Sequence, residues 1–162
     1  MRTKRIKDAI RLIACVGATF LAALPGAWAG AGAASEWYEN LAKPPFTPPG
    51  YVFGIVWPVL YLLMGVALFL VLKAPPDRRG RSAAIGLFAV QLLLNALWTP
   101  LFFRWRLIGV ALVEIIVLWA FILLTVTAFR KVSRVAAVLL VPYLAWVSFA
   151  VVLNAGFWVL NR

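Results

Sequence analysis

The residues that could carry chemistry in this chain are few, and most sit inside long apolar runs. Of its eight tryptophans, Trp119 and Trp146 fall near the middle of such runs, where an interfacial aromatic belt does not account for them. Gln91 and Asn95 are four residues apart and therefore share one face of a helix. Trp57 and Tyr61 repeat that spacing, and Trp146, Ala150, Asn154 and Trp158 extend it over three turns. Glu114 lies about two turns inside another run. Polar groups at membrane depth face a bundle interior or a cavity, or join helices by hydrogen bonds. Two readings therefore stand side by side: an aromatic-lined site in which indole faces stack on a flat hydrophobic ligand oriented by amides, or plain core packing. Conventional catalysis is poorly supplied. The chain has no histidine, which excludes His-based metal sites and nucleophile activation, and Cys15 is a lone cysteine without a disulfide partner. Paired carboxylates, phosphate-binding glycine loops, zinc spacings and the G-x-S-x-G elbow are all missing, so no metal is expected.

The elements that must position these residues follow from composition. Hydrophobic residues make up 65% of the 162 and charged residues 13%, with a mean hydropathy of +0.97. A soluble domain is roughly 45–50% apolar. A spanning helix needs about 20 apolar residues, and five stretches qualify: Asp8–Gly30, Tyr51–Lys73, Ala83–Phe103, Leu107–Phe129 and Arg134–Trp158. Barrel strands are shorter and alternate polar with apolar, so the expected fold is all-α, a polytopic five-helix membrane bundle forming one domain over 1–162. The first stretch also fits a signal peptide, with Ala27-Trp28-Ala29 before Gly30 as a small-x-small site. Its apolar character runs on to Ala34, interrupted only by Pro25, which reads as a first span. Small residues recur there every four positions (Ala14, Ala18, Ala22, Gly26, Gly30), a stripe that permits close helix approach.

The net charge of +11 is distributed as an orientation signal, which argues against nucleic acid as a partner. Twelve cations fall on one side: Arg2, Lys4, Arg5, Lys7 and Arg11; Lys73, Arg78, Arg79 and Arg81; Arg130, Lys131 and Arg134. Only Lys43, Arg104, Arg106 and Arg162 fall on the other. That bias predicts a cytoplasmic amino terminus and a basic face able to attract anionic lipid. The longest connection, 31–50, lies on the outer side. It should open with a short helix from Ser35 to about Leu41 and continue through Pro44, Pro45, Pro48 and Pro49 as a stiff strap, a lid over the bundle mouth. For Glu114, pairing with Arg104 or Arg106 is one expectation and a neutral carboxyl the other.

Several blocks of the chain resemble one family in combination. They are Trp37-Tyr38 with Leu41 and Lys43-Pro44-Pro45-Phe46-Thr47-Pro48-Pro49; Val52-Phe53 through Val56-Trp57-Pro58 and Leu60-Tyr61 to Met64-Gly65; Gln91-Leu92 with Leu94-Asn95, Trp98 and Pro100-Leu101-Phe102-Phe103; and Pro142-Tyr143 with Trp146 and Leu153-Asn154. The chain resembles the TspO/MBR family of tryptophan-rich sensory proteins and mitochondrial translocator proteins. The resemblance implies a five-helix fold, a homodimer, and a cavity closed by the first long loop that takes porphyrins such as protoporphyrin IX or haem. It would put ligand-binding residues at Trp37, Phe46, Trp57, Tyr61, Asn95, Trp98, Trp119, Trp146 and Ala150. For some bacterial members it further implies light-dependent porphyrin breakdown, with Trp57 and Trp146 as the residues that would act. One departure stands out: Leu153-Asn154 is followed by Ala155-Gly156-Phe157, without the tyrosine of the animal cholesterol motif, and Arg162 lies farther on. This points away from avid sterol recognition.

The leading expectation is a membrane receptor or sensor that binds porphyrin in an aromatic cavity and modulates tetrapyrrole handling. A light-dependent porphyrin-degrading enzyme and a transporter of porphyrins or other hydrophobic ligands are the alternatives. Membrane lipid, a porphyrin-type small molecule and a second copy of the chain are the expected partners. No cofactor is expected to be permanently bound, and a bacterial inner membrane is the favoured location, with an outer or organellar membrane as the alternatives.

Overall fold

The computed structural model describes residues 2–30 and 36–162, so Ser35, where the loop helix is expected to start, lies outside the described residues. The elements are all helical: α1 (Arg2–Leu21), α2 (Leu24–Gly30), α3 (Glu36–Glu39), α4 (Gly50–Lys73), α5 (Arg81–Thr99), a π-helical turn at Pro100–Arg104, α6 (Ile108–Val132), α7 (Arg134–Leu139) and α8 (Val141–Leu160). Five stretches are long and apolar enough to cross a membrane: Thr3–Ala29, Gly50–Lys73, Arg81–Arg104, Ile108–Val132 and Arg134–Leu160.

Breaks within the spans have covalent causes. Pro25 has no N–H to offer Leu21, and the first span divides there into α1 and α2. The fifth span divides at Leu140, just before Pro142, with Pro142 in the first turn of α8 where a missing N–H costs nothing. Ser133 caps α7 by accepting a hydrogen bond from the Ala136 N–H at 3.3 Å. In α4, Pro58 leaves the carbonyl of Gly54 without its helical donor, and a Cβ on Gly54 would meet nothing within 4 Å. The first two turns of α4 thus lack one helical hydrogen bond.

Packing closes the spans into a ring. The first span leans on α4 with its lower part and on α5 and the π turn with α2. Around the rest of the ring α5 packs on α6, α6 on α7 and α8, and α4 on α7. The crossing of α1 and α4 is so close that a Cβ on Gly65 would lie 2.6 Å from the Val16 Cα. Above it the Thr19 hydroxyl donates to the Tyr61 carbonyl at 2.8 Å. This seam is made by Cys15 and Thr19, both buried, whereas Ala14 and Ala18 of the small-residue stripe are exposed. Within the stripe, a Cβ on Gly26 would lie 3.3 Å from the Thr99 hydroxyl oxygen of α5.

The two halves of the ring differ. Toward the basic end, Met64, Ala67, Val71, Phe88, Ile122, Phe129 and Ala136 fill the interior, with Phe88 and Phe129 stacked at 5.7 Å. There Lys73 pairs with Asp8 at 3.2 Å, and Arg81 donates to the Val71 and Leu72 carbonyls that end α4. Toward the loop end the interior is hollow.

Candidate ligand cavity

The floor of the hollow is a hydrogen-bonded chain. Tyr61 donates its hydroxyl to Asn95 Oδ1 at 2.8 Å, and Asn95 Nδ2 donates to the Tyr143 hydroxyl at 3.0 Å. All three residues are buried, and they join α4, α5 and α8 at one level. Gln91, one turn below Asn95, is also buried, and its amide has no partner among the described residues.

Above this floor lies a cavity of about 1040 Å³. Its walls are aromatic. Trp57 stacks on Tyr61 at 5.5 Å, Trp98 stacks on Phe102 at 5.4 Å, and Phe53 meets Trp146 edge-on at 5.6 Å. Phe20, Ala23 and Ala27 complete the wall from the first span, while Ala150, Leu153 and Asn154 do so from α8. Asn154 fixes the α8 side by accepting from Trp98 Nε1 at 3.0 Å and donating to the Ile108 carbonyl at 3.1 Å. Trp146 differs: its buried indole N–H has no partner among the described residues.

The roof is the proline-rich strap. Pro44 is buried against Gly156, where a Cβ would lie 2.6 Å from the proline ring, so only glycine lets the strap settle on α8. Asn161 then latches it. The Ala42 N–H donates to Asn161 Oδ1 at 2.9 Å, and Asn161 Nδ2 donates back to the Ala42 carbonyl at 2.9 Å. Asn161→Ala should raise the hydrogen-exchange rate of the Ala42 amide by roughly tenfold or more, because local opening no longer breaks two bonds. An unchanged rate would show that the latch holds nothing.

The cations of this end rest on aromatic faces. Lys43 lies over Tyr38, Arg104 over Trp28, Arg106 over Trp37 and Arg162 over Trp158, all within 4.7–5.6 Å of the ring centroids. Arg106 reaches its place from a left-handed backbone, φ 58°. Lys43 also pairs with Glu39 at 3.2 Å, and both line the rim of the cavity. Burial, and then the Glu39 carboxylate, push the Tyr38 phenol above its ordinary range, so its hydroxyl stays neutral. Glu114 is buried with neither oxygen hydrogen-bonded among the described residues, and the expected pairing with Arg104 or Arg106 is not formed. Those guanidiniums lie over Trp28 and Trp37 instead.

Of the nine candidate ligand-binding residues, Trp57, Tyr61, Asn95, Trp98, Trp146 and Ala150 line the cavity. The other three are placed elsewhere. Trp37 packs edge-on against Phe102 at 6.1 Å beneath Arg106, while its neighbour Tyr38 turns to the cavity. Phe46 is half-exposed and leans on Phe149 at 6.4 Å. Trp119 donates to Ser148 Oγ at 2.7 Å, beside the lining residue Leu118 but rotated off that face. Sequence reasoning missed Phe20, Ala23 and Ala27, whose only signal was the break that Pro25 imposes on the first span.

Comparison with known proteins identifies the family. The model of the TspO/MBR family matches residues 13–159. The chain is 40% identical to the tryptophan-rich protein TspO of Chlorobaculum tepidum over 155 residues, covering 96% of this chain and 98% of that one. It is 42% identical to the tryptophan-rich sensory protein of Cereibacter sphaeroides over 139 residues, 84% of this chain and 85% of that one. Against the human translocator protein the identity is 40% over 124 residues, 76% of this chain and 73% of that one. With five apolar spans and matches of this length, the chain is an integral membrane protein and belongs to the TspO/MBR family.

Proposed function

We propose that this protein is a membrane receptor that binds porphyrins in the capped cavity and modulates tetrapyrrole handling. The observation that carries the reading is the chamber of about 1040 Å³ with Trp57, Tyr61, Trp98 and Trp146 on its walls. A flat macrocycle gains most from broad ring faces, and small-molecule sites join such faces to a few placed polar groups. Here the placed polar group is Lys43 at the rim, which suits an apolar ring system carrying acidic substituents. The sensory and translocator names of the relatives agree with a ligand-handling role.

Titration with protoporphyrin IX in nanodiscs, followed by tryptophan emission, tests the proposal. Saturable quenching is expected, with the dissociation constant rising roughly tenfold in Trp146→Leu, which removes an aromatic face from the cavity wall, an effect of about 1.4 kcal/mol. Trp57→Phe should weaken binding by a smaller factor through lost stacking area. Non-saturable partitioning, identical in both variants, would overturn the reading.

A further inference from the structure

The roof of the cavity is fastened by hydrogen bonds, whereas its α4–α8 wall is closed by side chains alone. Toward the basic end α4 packs directly on α7. Farther up, aromatic side chains bridge α4 to α8, Trp57 to Tyr143 at 6.4 Å and Phe53 to Trp146 at 5.6 Å. On the outside of this seam is an apolar groove of about 530 Å³, lined by Val56, Val59, Leu60, Pro142, Ala145 and Trp146 among others. Val59, Pro142 and Ala145 are exposed, so the groove opens on the surface that lipid covers. Trp146 lines both the groove and the cavity and is the partition between them.

That partition is held without a hydrogen bond among the described residues. Trp98 is tied to Asn154 and Trp119 to Ser148 by hydrogen bonds, whereas Trp146, like Trp57, is held by ring contacts, in its case with Phe53 and Phe149. Phe53 itself sits in the first turns of α4, next to Gly54, whose carbonyl Pro58 leaves without a helical donor. A swing of the Trp146 ring, with a small outward flex of α4 at Gly54–Pro58, would join groove and cavity without breaking a side-chain hydrogen bond of the partition. Opening the roof instead would break both Ala42–Asn161 bonds and lift Pro44 off Gly156.

We propose that the α4–α8 groove is the entry site through which a flat hydrophobic ligand passes from the bilayer into the cavity, with Trp146 as its door. The ligand class rests on the porphyrin reading above; the route does not. A hydrophobic ligand concentrates in the membrane rather than in water, and this groove offers it an apolar surface continuous with the cavity wall.

Filling the groove from outside tests the route. Ala145→Trp and Val59→Trp lie in the groove but not on the cavity wall. Each should slow both association and dissociation of protoporphyrin IX, read by its own emission in stopped flow, by roughly tenfold or more while the dissociation constant moves by about twofold or less. Val113→Trp, on an exposed face of α6, should leave both rates at the parent value. A second arm needs no porphyrin. In a Cys15→Ser, Ala150→Cys background, modification of the cavity thiol by a bilayer-partitioned maleimide, followed by intact mass, should slow by the same factor in the two groove variants. Unchanged rates in both groove variants and both arms would overturn the entry site. Slowed thiol modification with no saturable porphyrin binding would overturn the porphyrin reading and uphold the route.

Discussion

Replacing Asn95 by leucine is expected to cost about 2–4 kcal/mol of stability, more than the loss of either tyrosine hydroxyl with which it bonds. The amide accepts from Tyr61 and donates to Tyr143, so its removal strands two buried hydroxyls at once. A buried polar group left unpaired costs about 1–3 kcal/mol, whereas interhelical side-chain bonds in membranes average about 0.6 kcal/mol when removed cleanly. Tyr143→Phe should therefore cost about 1 kcal/mol, since Asn95 keeps its bond to Tyr61. The asymmetry gives a stricter test. The triple variant Tyr61→Phe, Asn95→Leu, Tyr143→Phe strands nothing and should be more stable than Asn95→Leu alone. Reversible unfolding in mixed detergent micelles measures all of these. If Asn95→Leu lies within about 0.5 kcal/mol of the parent, the floor of the cavity is not held by this chain of bonds.

The same three residues show what could be read from the sequence and what could not. Asn95 was conspicuous because an amide inside an apolar run must find a partner. The repeat Trp146, Ala150, Asn154 and Trp158 was legible because helical spacing puts residues four apart on one face; the first three line the cavity, whereas Trp158 is exposed. Hydropathy could not say which face that is. In lipid both sides of a span are apolar: Leu93 and Val113 are exposed, while Leu118 and Ile122 are buried, with no contrast in residue type. Trp119 illustrates the consequence. Its depth was apparent, but only the packing of α6 on α8 turns Leu118 to the cavity and Trp119 to Ser148. Ring order was equally hidden, since short loops give neighbours in sequence but not the closure that sets the first span against both α4 and α5. The strap was legible as rigid from its prolines. Its seat on Gly156 and its latch on Asn161 depend on residues more than a hundred positions away.

Gly65→Leu is expected to have the largest effect of any single substitution in the bundle, and Gly17→Leu almost none. Both glycines belong to the first two spans, and a count of small residues would treat them alike. A Cβ on Gly65 would lie 2.6 Å from the Val16 Cα, 2.8 Å from its Cγ2 and 3.0 Å from its backbone nitrogen. Two of those three atoms are backbone, so no rotamer change relieves the clash and α1 must move away from α4. Ordinary overpacking costs about 1–3 kcal/mol; a whole isobutyl group driven into a backbone contact should exceed that range, with Gly65→Ala falling inside it. Separation of the helices also breaks the Thr19–Tyr61 bond and moves Phe20 off the Tyr61 ring, now 5.8 Å away. Phe20 and Tyr61 are both cavity walls, so porphyrin affinity should fall with stability in Gly65→Ala, which retains enough fold to be titrated. Around Gly17 nothing lies within 4 Å of a built Cβ, and leucine there would meet only lipid, changing stability by less than about 0.5 kcal/mol. Equal losses in the two leucine variants would mean that the first span resists bulk along its whole length, and the close crossing at Val16–Gly65 would no longer be what sets the wall of the cavity.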